Sequence, residues 1–156
     1  MIKLVRIDHR LLHGQVVFSW TKSLGVGRII IIDDFAATDE LKKMSLSLSK
    51  PTGVKLNVFT VKDALIRMAK VEALNENVML IFGGTKSIRE FCEGYPKIKE
   101  INYGGIAKNE NSVQYSNAIF LTDEELEDSR KLKEMGIRLY MQQVPTSKLE
   151  DLTSKI

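Results

Sequence analysis

The chain has 156 residues, of which 44% are hydrophobic and 28% are charged, and its formal net charge is +3 at pH 7. This length and apolar content suit a single domain over residues 1–156 with a sizeable core, and the interspersed charges argue against a nucleic-acid-binding surface. The lone cysteine excludes an intrachain disulfide. The sequence shows neither an apolar run of about 20 residues nor a signal peptide, so we expect a soluble cytoplasmic protein.

Strands and helices are predicted to alternate along the chain. Apolar runs predict seven strands, at Ile2–Ile7, Arg28–Ile32, Lys55–Phe59, Asn77–Phe82, Glu100–Tyr103, Ala118–Leu121 and Arg138–Val144. Helical patterns and caps predict helices at Gln15–Leu24, Thr38–Lys50, Val61–Leu74, Thr85–Cys92, from the capping box Thr122–Glu125 to Gly136, and at about Ser147–Ser154. This alternation predicts a three-layer α/β fold with a mainly parallel sheet of six to seven strands. Gly104–Asn117 is read as a long polar surface excursion, of a kind that is often functional.

The segment RIDHRLLHGQ, residues 6–15, is the most polar stretch and lies between the first strand and the first helix. In an open parallel sheet, ligands bind beyond the carboxyl ends of the strands, where helix N-terminal amides attract anions. His13 offers a neutral imidazole as a nucleophile, and Gly14 lets the backbone turn sharply. Arg6 and Arg10 offer bidentate positive charge for phosphate oxygens.

Two further residues of this segment complete the pattern. Asp8 is suited to orienting an arginine or a ring N–H, and Gln15 can donate its amide to an oxyanion. Together these residue types predict an anion or phosphoryl site around His13, since phosphoryl transfer depends mainly on positioning and charge. Neither a Walker loop nor a dinucleotide-binding glycine motif is present, so the sequence does not indicate bound ATP or NAD.

The same residues also have simpler interpretations. A histidine followed by glycine is typical of a structured turn, and arginines at strand ends are commonly solvated. His9 and His13 would bind a metal only within a helix, and no third ligand is evident. Asp33 and Asp34 resemble the acidic pair of a receiver domain, but a receiver carries its acceptor aspartate after the third strand, where this chain has Phe59-Thr60. They are interpreted as polar residues that begin a helix.

The pattern R-I-D-x-R-L-x-H-G-Q-V resembles the IIB subunits of the mannose/fructose/sorbose family of the bacterial sugar phosphotransferase system. The resemblance continues through IIDDFAATDELKK, KPTGVKLNVFTVKDA, NVMLIF, INYGG and AIFLTDEEL, and so covers essentially the whole chain. Two small departures are His9, at a variable position, and Tyr103, where the family commonly has valine.

The resemblance implies a phosphohistidine carrier. His13 would take a phosphoryl group from a phosphohistidine of a IIA protein or domain and pass it to a sugar held by the membrane subunits IIC and IID. The activity would be that of a protein-N(pi)-phosphohistidine–sugar phosphotransferase that needs no metal or nucleotide. Arg6 and Arg10 would cradle the phosphoryl group, while Asp8, Gly14 and Gln15 support the loop. The sequence leaves open the sugar, the ring nitrogen and a possible homodimer.

The resemblance also implies the strand order 3-2-4-1-5-6, which places strands four and five beside strand one. The expected pocket walls are then Asp34, Gly83, Gly84, Thr85, Asn102, Gly104 and Gly105. The two glycine pairs would leave room for the phosphoryl group and for the partner's histidine loop. Binding to IIC and IID would hold the protein at the inner face of the membrane.

Two alternative functions remain open. The first is a non-catalytic sensor of a sugar phosphate or another anion, which would not need a nucleophile at position 13. The second is a structural or regulatory partner of a transporter, which would form a complex without taking up a phosphoryl group.

Overall fold

The computed structural model describes residues 1–156 and contains nine strands. They are β1 (Ile2–Asp8), β2 (Val26–Ile32), β3 (Lys55–Phe59), β4 (Asn77–Phe82), β5 (Glu100–Gly105), β6 (Val113–Ser116), β7 (Ile119–Leu121), β8 (Arg138–Met141) and β9 (Glu150–Asp151). Seven of them form one sheet in the order β3-β2-β4-β1-β5-β8-β9, in which only β9 is antiparallel to its neighbour. The predicted mainly parallel sheet and the order 3-2-4-1-5 are therefore confirmed.

Six α-helices cover the two faces of this sheet. They are α1 (Gly14–Leu24), α2 (Asp34–Thr38), α3 (Glu40–Ser49), α4 (Val61–Glu72), α5 (Thr85–Gly94) and α6 (Asp123–Glu134), and a 3₁₀ turn follows at Thr153–Lys155. Sequence signals set several ends: the Thr60 hydroxyl accepts the Asp63 N–H at the start of α4, and Gly25 ends α1 in the left-handed conformation. None of the helices is long and apolar enough to cross a membrane.

The centre of the sheet is buried on both faces, which explains its runs of branched residues. In β2, Ile30 and Ile32 pack into a cluster of 25 buried residues with α4, α5 and α6. Ile29 and Ile31 point to the opposite face, into a cluster of 14 with α1 and α3. Each isoleucine of the run thus fills one of two cores, which gives the predicted three-layer architecture.

Two predictions near the C-terminus differ from the structure. The strand predicted at Ala118–Leu121 is present as Ile119–Leu121 but does not join the main sheet, because it pairs antiparallel with Val113–Ser116, at the end of the predicted polar excursion. Arg138–Met141 is therefore the sixth strand of the sheet. The predicted helix Ser147–Ser154 is instead the short edge strand β9 and one 3₁₀ turn, held because the Thr153 hydroxyl bonds both the N–H and the carbonyl of Leu139.

Helix boundaries near Asp33 and Gly84 also differ from the prediction. The helix predicted over Thr38–Lys50 is two helices, α2 and α3, because Asp39 between them is extended (φ −113°, ψ 109°). The first begins earlier than expected, since the Asp33 carboxylate accepts the Ala36 N–H as an N-cap. Residue Gly84, not Thr85, is the N-cap of α5.

The capping box at α6 gives a test of local stability. The Thr122 hydroxyl accepts the Glu125 N–H, and Glu125 Oε1 accepts the Thr122 N–H. We expect Thr122→Ala to lower the free energy of unfolding by about 1 kcal/mol, because it leaves a helix N–H without its acceptor. Urea denaturation measures this as a lower midpoint with an unchanged slope. The exposed Thr146→Ala is the control, and equal losses in both variants would contradict the capping role.

Candidate functional site

A tight loop joins β1 to α1 at the carboxyl edge of the sheet. The His9 N–H donates to the Gly105 carbonyl and the Leu11 N–H donates to the Asp8 carbonyl, so the chain turns as soon as the strand ends. Leu11 (φ +59°) and Gly14 (φ +43°) both lie in the left-handed region. Glycine tolerates this conformation, whereas Leu11 is held in it by burial of its side chain in the core.

The carboxylate of Asp8 organises this loop. It is 1% exposed, and its Oδ2 accepts a hydrogen bond from Arg6 Nη2 at 3.0 Å. Its Oδ1 accepts the backbone N–H of Arg10 at 3.0 Å and lies 3.5 Å from Arg10 Nε. One buried carboxylate therefore holds both arginines.

Arg6 is buried beneath the loop. Its Nη1 donates to Asn102 Oδ1 at 2.6 Å and to the Gln142 carbonyl at 3.2 Å, and its guanidinium lies 5.7 Å from the centre of the Trp20 ring. Burial lowers the pKa of Arg6 from its ordinary value, while Asp8 opposes that shift. A Cβ at position 104 would lie 1.9 Å from Arg6 Cζ, so glycine is required there for the guanidinium to fit.

Arg10 differs from Arg6 in being accessible. Its side chain is 39% exposed, and its hydrogen bonds to the protein go only to Asp8, through Nε and the backbone N–H. A Cβ at Gly105 would lie 3.5 Å from Arg10 Nη2 and 3.1 Å from Asp8 Oδ1, so the strand leaves room for this pair. The terminal N–H groups of Arg10 are therefore available to an anion.

His13 is the N-cap residue of α1, with an extended backbone (φ −147°, ψ 121°) and no capping hydrogen bond from its side chain. Its ring is half-buried, and Nε2 is enclosed without a hydrogen-bond partner. Burial lowers the pKa of His13, and the positive charge of Arg10 lowers it further. The ring is therefore neutral at pH 7 and has a lone pair for nucleophilic attack. Gln15, one residue into the helix, is exposed.

The residues predicted as pocket walls divide into two groups. Asn102 and Gly104 touch Arg6, and Gly105 lies against Asp8 and Arg10, so these three belong to the loop site. The structure contradicts the expectation that their glycines leave room for a phosphoryl group, because Arg6 and Asp8 occupy that space.

The second group supports neighbouring elements. A Cβ at Gly83 would lie 2.5 Å from Asp33 Oδ1, so this glycine makes room for the cap of α2, and with Asp34 and Gly84 it lines a surface cavity. Asp34 Oδ1 accepts the Val61 N–H at 2.9 Å, and the buried Thr85 hydroxyl donates to Asp128 at 2.9 Å. With Gly84 capping α5, these residues fix helix starts along the same edge of the sheet.

The sequence did not identify the segment after β8 as part of the site. The Gln142 carbonyl accepts hydrogen bonds from Arg6 and Asn102, and the Gln143 carbonyl accepts one from Trp20 Nε1 at 3.0 Å. The predicted strand Arg138–Val144 includes both glutamines, whereas β8 ends at Met141. The polar pair QQ before a proline is the signal that the strand ends at this edge.

The arrangement combines a neutral imidazole, an arginine with free N–H groups and the amino end of a helix. These groups can accept and stabilise a phosphoryl group on the ring. No cluster of three or more histidine, cysteine or carboxylate side chains has the geometry of a metal site.

The chain is similar in sequence and in fold to known proteins. Residues 2–156 match the family described as PTS system sorbose subfamily IIB component. The chain is 36% identical over 159 residues to the mannose-specific EIIAB component of Escherichia coli K12, covering 100% of this chain and 49% of that protein, so it spans about half the length of such relatives. It is 30% identical over 152 residues to the N-acetylgalactosamine-specific phosphotransferase enzyme IIB component 1 of the same organism, covering 97% and 96% of the two chains. The crystal structure of the IIBSor domain of the sorbose permease of Klebsiella pneumoniae superposes with a TM-score of 0.91 at 28% identity, covering 99% and 95%.

The charge on Arg10 gives a direct test of the site's electrostatics. Because Arg10 lowers the pKa of His13, we expect Arg10→Gln to raise that pKa toward the ordinary value of histidine. An NMR titration of the ring resonances measures the change, with the two histidines assigned through His9→Asn. Arg130→Gln removes the same charge from an exposed position on α6, across the sheet from α1, and should leave the titration of His13 unchanged. Equal shifts in both variants would contradict a local effect of Arg10.

Proposed function

The chain belongs to the sorbose subfamily of IIB components of the sugar phosphotransferase system, and from this premise we propose that it is a phosphoryl-carrier domain whose phosphorylated residue is His13. The observation that carries this proposal is the neutral ring of His13 beside the accessible arginine Arg10 at the start of α1. A neutral ring is nucleophilic, and a nearby guanidinium can compensate the charge of the incoming phosphoryl group.

The burial of Nε2 favours Nδ1 as the nucleophilic nitrogen of His13. Nε2 is enclosed and has no partner, so a phosphoryl group there would have no space. With its hydrogen on Nε2, the ring presents the Nδ1 lone pair. A bond then forms between Nδ1 and phosphorus while the donor's nitrogen–phosphorus bond breaks. The electron pair of the broken bond returns to the donor's imidazole, and phosphorylated His13 keeps its hydrogen on Nε2.

The donor in this proposal is the phosphohistidine of a IIA protein, and the acceptor is a sugar hydroxyl. The sugar would be held by the membrane subunits IIC and IID, which would bring the protein to the inner face of the membrane. Relatives are named for mannose, sorbose, fructose and N-acetylgalactosamine. One carrier chemistry serving several sugars fits selection of the sugar mainly by the membrane subunits.

Phosphorylation of His13 is tested with the general phosphotransferase proteins, phosphoenolpyruvate and a IIA protein. We expect wild-type protein to gain one acid-labile, base-stable phosphoryl group by intact mass, and His13→Asn to gain none. Asparagine retains a good N-cap residue for α1, so the helix should remain intact. His9→Asn, at an exposed neighbouring position, is the matched control and should be labelled as wild type. Full labelling of His13→Asn, or a label mapped to His9, would refute the proposal.

The proposed transfer also requires IIA to dock over the carboxyl edge of the sheet, since both histidines must approach one phosphorus in line. Amide chemical-shift mapping with unlabelled IIA should perturb residues 9–15, the exposed Phe35 and the segment beyond Gly105. Because Arg10 would attract an anionic donor site, affinity should fall at least about threefold between about 0.05 and 0.5 M salt. Shifts confined to Tyr95–Glu100, at the opposite edge, would contradict this docking, and salt-independent binding would contradict its electrostatic part.

A further inference from the structure

We propose that Arg6 and Asn102 are positioning residues, which hold Arg10 at the phosphoryl site through Asp8 and do not themselves contact the phosphoryl group. This inference rests on the proposed function and assigns different roles to the two arginines of the loop. It replaces the expectation that both arginines cradle the phosphoryl group.

The burial of Arg6 is the first step. The residue is 1% exposed, and its terminal nitrogens donate to Asp8 Oδ2, Asn102 Oδ1 and the Gln142 carbonyl. The absent side chain of Gly104 creates the space that its guanidinium fills. A phosphoryl group on His13 would have to break these bonds and displace the loop to reach Arg6.

Asn102 is the second step, because it fixes the plane of the Arg6 guanidinium. Its side chain is fully buried, with Oδ1 accepting from Arg6 Nη1 at 2.6 Å. Its Nδ2 donates at 3.0 Å to the Gln142 carbonyl, which also accepts from Arg6 Nη1 at 3.2 Å. The amide therefore bonds only to partners inside the protein, and because the whole residue is buried it presents no atom to a ligand at the surface.

Asp8 is the third step and transmits the position of Arg6 to Arg10. A buried carboxylate needs a charged partner, and Arg6 supplies it at 3.0 Å through Oδ2. The other oxygen, Oδ1, is then directed at the backbone N–H and the Nε of Arg10. The side chain of Arg10 is thus held at one end, and its free terminal nitrogens are left toward the site of the anion.

The experiment measures energetic coupling between Asn102 and Arg10. The phosphoryl donor is phosphoramidate, a small molecule that needs no protein docking. A ring nitrogen of His13 bonds to phosphorus while the phosphorus–nitrogen bond of the donor breaks. Ammonia leaves, and the ring proton passes to solvent. The rate of labelling at His13 is followed by peptide mass mapping. We expect Asn102→Ala and Arg10→Gln each to slow labelling at least about fivefold, as for loss of a positioned electrostatic donor.

The double variant decides the proposal. If Asn102 acts through Arg10, the double variant should be within about twofold of Arg10→Gln alone, because a positioning residue loses its effect once the group it positions is gone. Losses that multiply, or a wild-type rate in Asn102→Ala, would overturn it. Asn57→Ala is the matched control, since its amide accepts from Arg28 in an equivalent pair between β3 and β2 and should leave labelling unchanged.

Two additions keep the outcome decisive. If Asn102→Ala does not fold, Arg6→Lys takes its place. Lysine retains a charge for Asp8 but lacks the planar guanidinium that bonds Asp8 and Asn102 at once, so labelling should slow. This effect should be lost when Arg10→Gln is also present. The NMR titration of His13 needs no phosphoryl donor, and Asn102→Ala should move the His13 pKa in the same upward direction as Arg10→Gln. An unlabelled wild-type protein would refute the proposed function, whereas an unchanged titration in Asn102→Ala would refute the positioning role.

Discussion

The buried ion pair between Arg6 and Asp8 is the interaction on which the loop and its chemistry depend. Charges are costly to bury, and removing one partner of such a pair typically costs about 3–5 kcal/mol because the other is left uncompensated. Here the remaining polar groups are also satisfied, by Asn102 on β5, by the carbonyl after β8 and by the amide of Arg10. Three neighbouring parts of the sheet edge therefore meet on one pair, which fixes where β1 ends and how the loop leaves it.

The exposed half of the site follows from this buried half. Asp8 fixes one end of Arg10, and burial of Leu11 and Leu12 anchors the loop before His13. The charge of Arg10 then has two effects that act together. It favours the neutral, nucleophilic ring of His13, and it attracts the anionic group that this ring would receive.

Most of the fold could be predicted because its strands are short apolar runs and its helices carry recognisable caps, although the order of strands came from the family resemblance. The errors lie where pairing between distant residues decides the structure. Ile119–Leu121 has too few residues to choose a partner by pattern, and it pairs with a segment that reads as a polar loop. Ser147–Ser154 has a weak helical pattern, but the bonds between Thr153 and Leu139 draw it to the edge of the sheet.

The structure brings the residues of the predicted loop together at the end of the first strand, but residue type alone does not separate the roles of its two arginines. Their positions relative to the strand do. In the observed order β1 lies between β4 and β5, and from Leu4 to Asp8 its residues are buried on both faces of the sheet. A side chain within such a strand is enclosed, and a charged one must find partners inside the protein, as Arg6 does. Arg10 follows the strand, where the backbone has left the sheet and a cation can meet solvent. In β1, the arginine inside the strand therefore supports the loop, whereas the arginine beyond its end is available to a ligand.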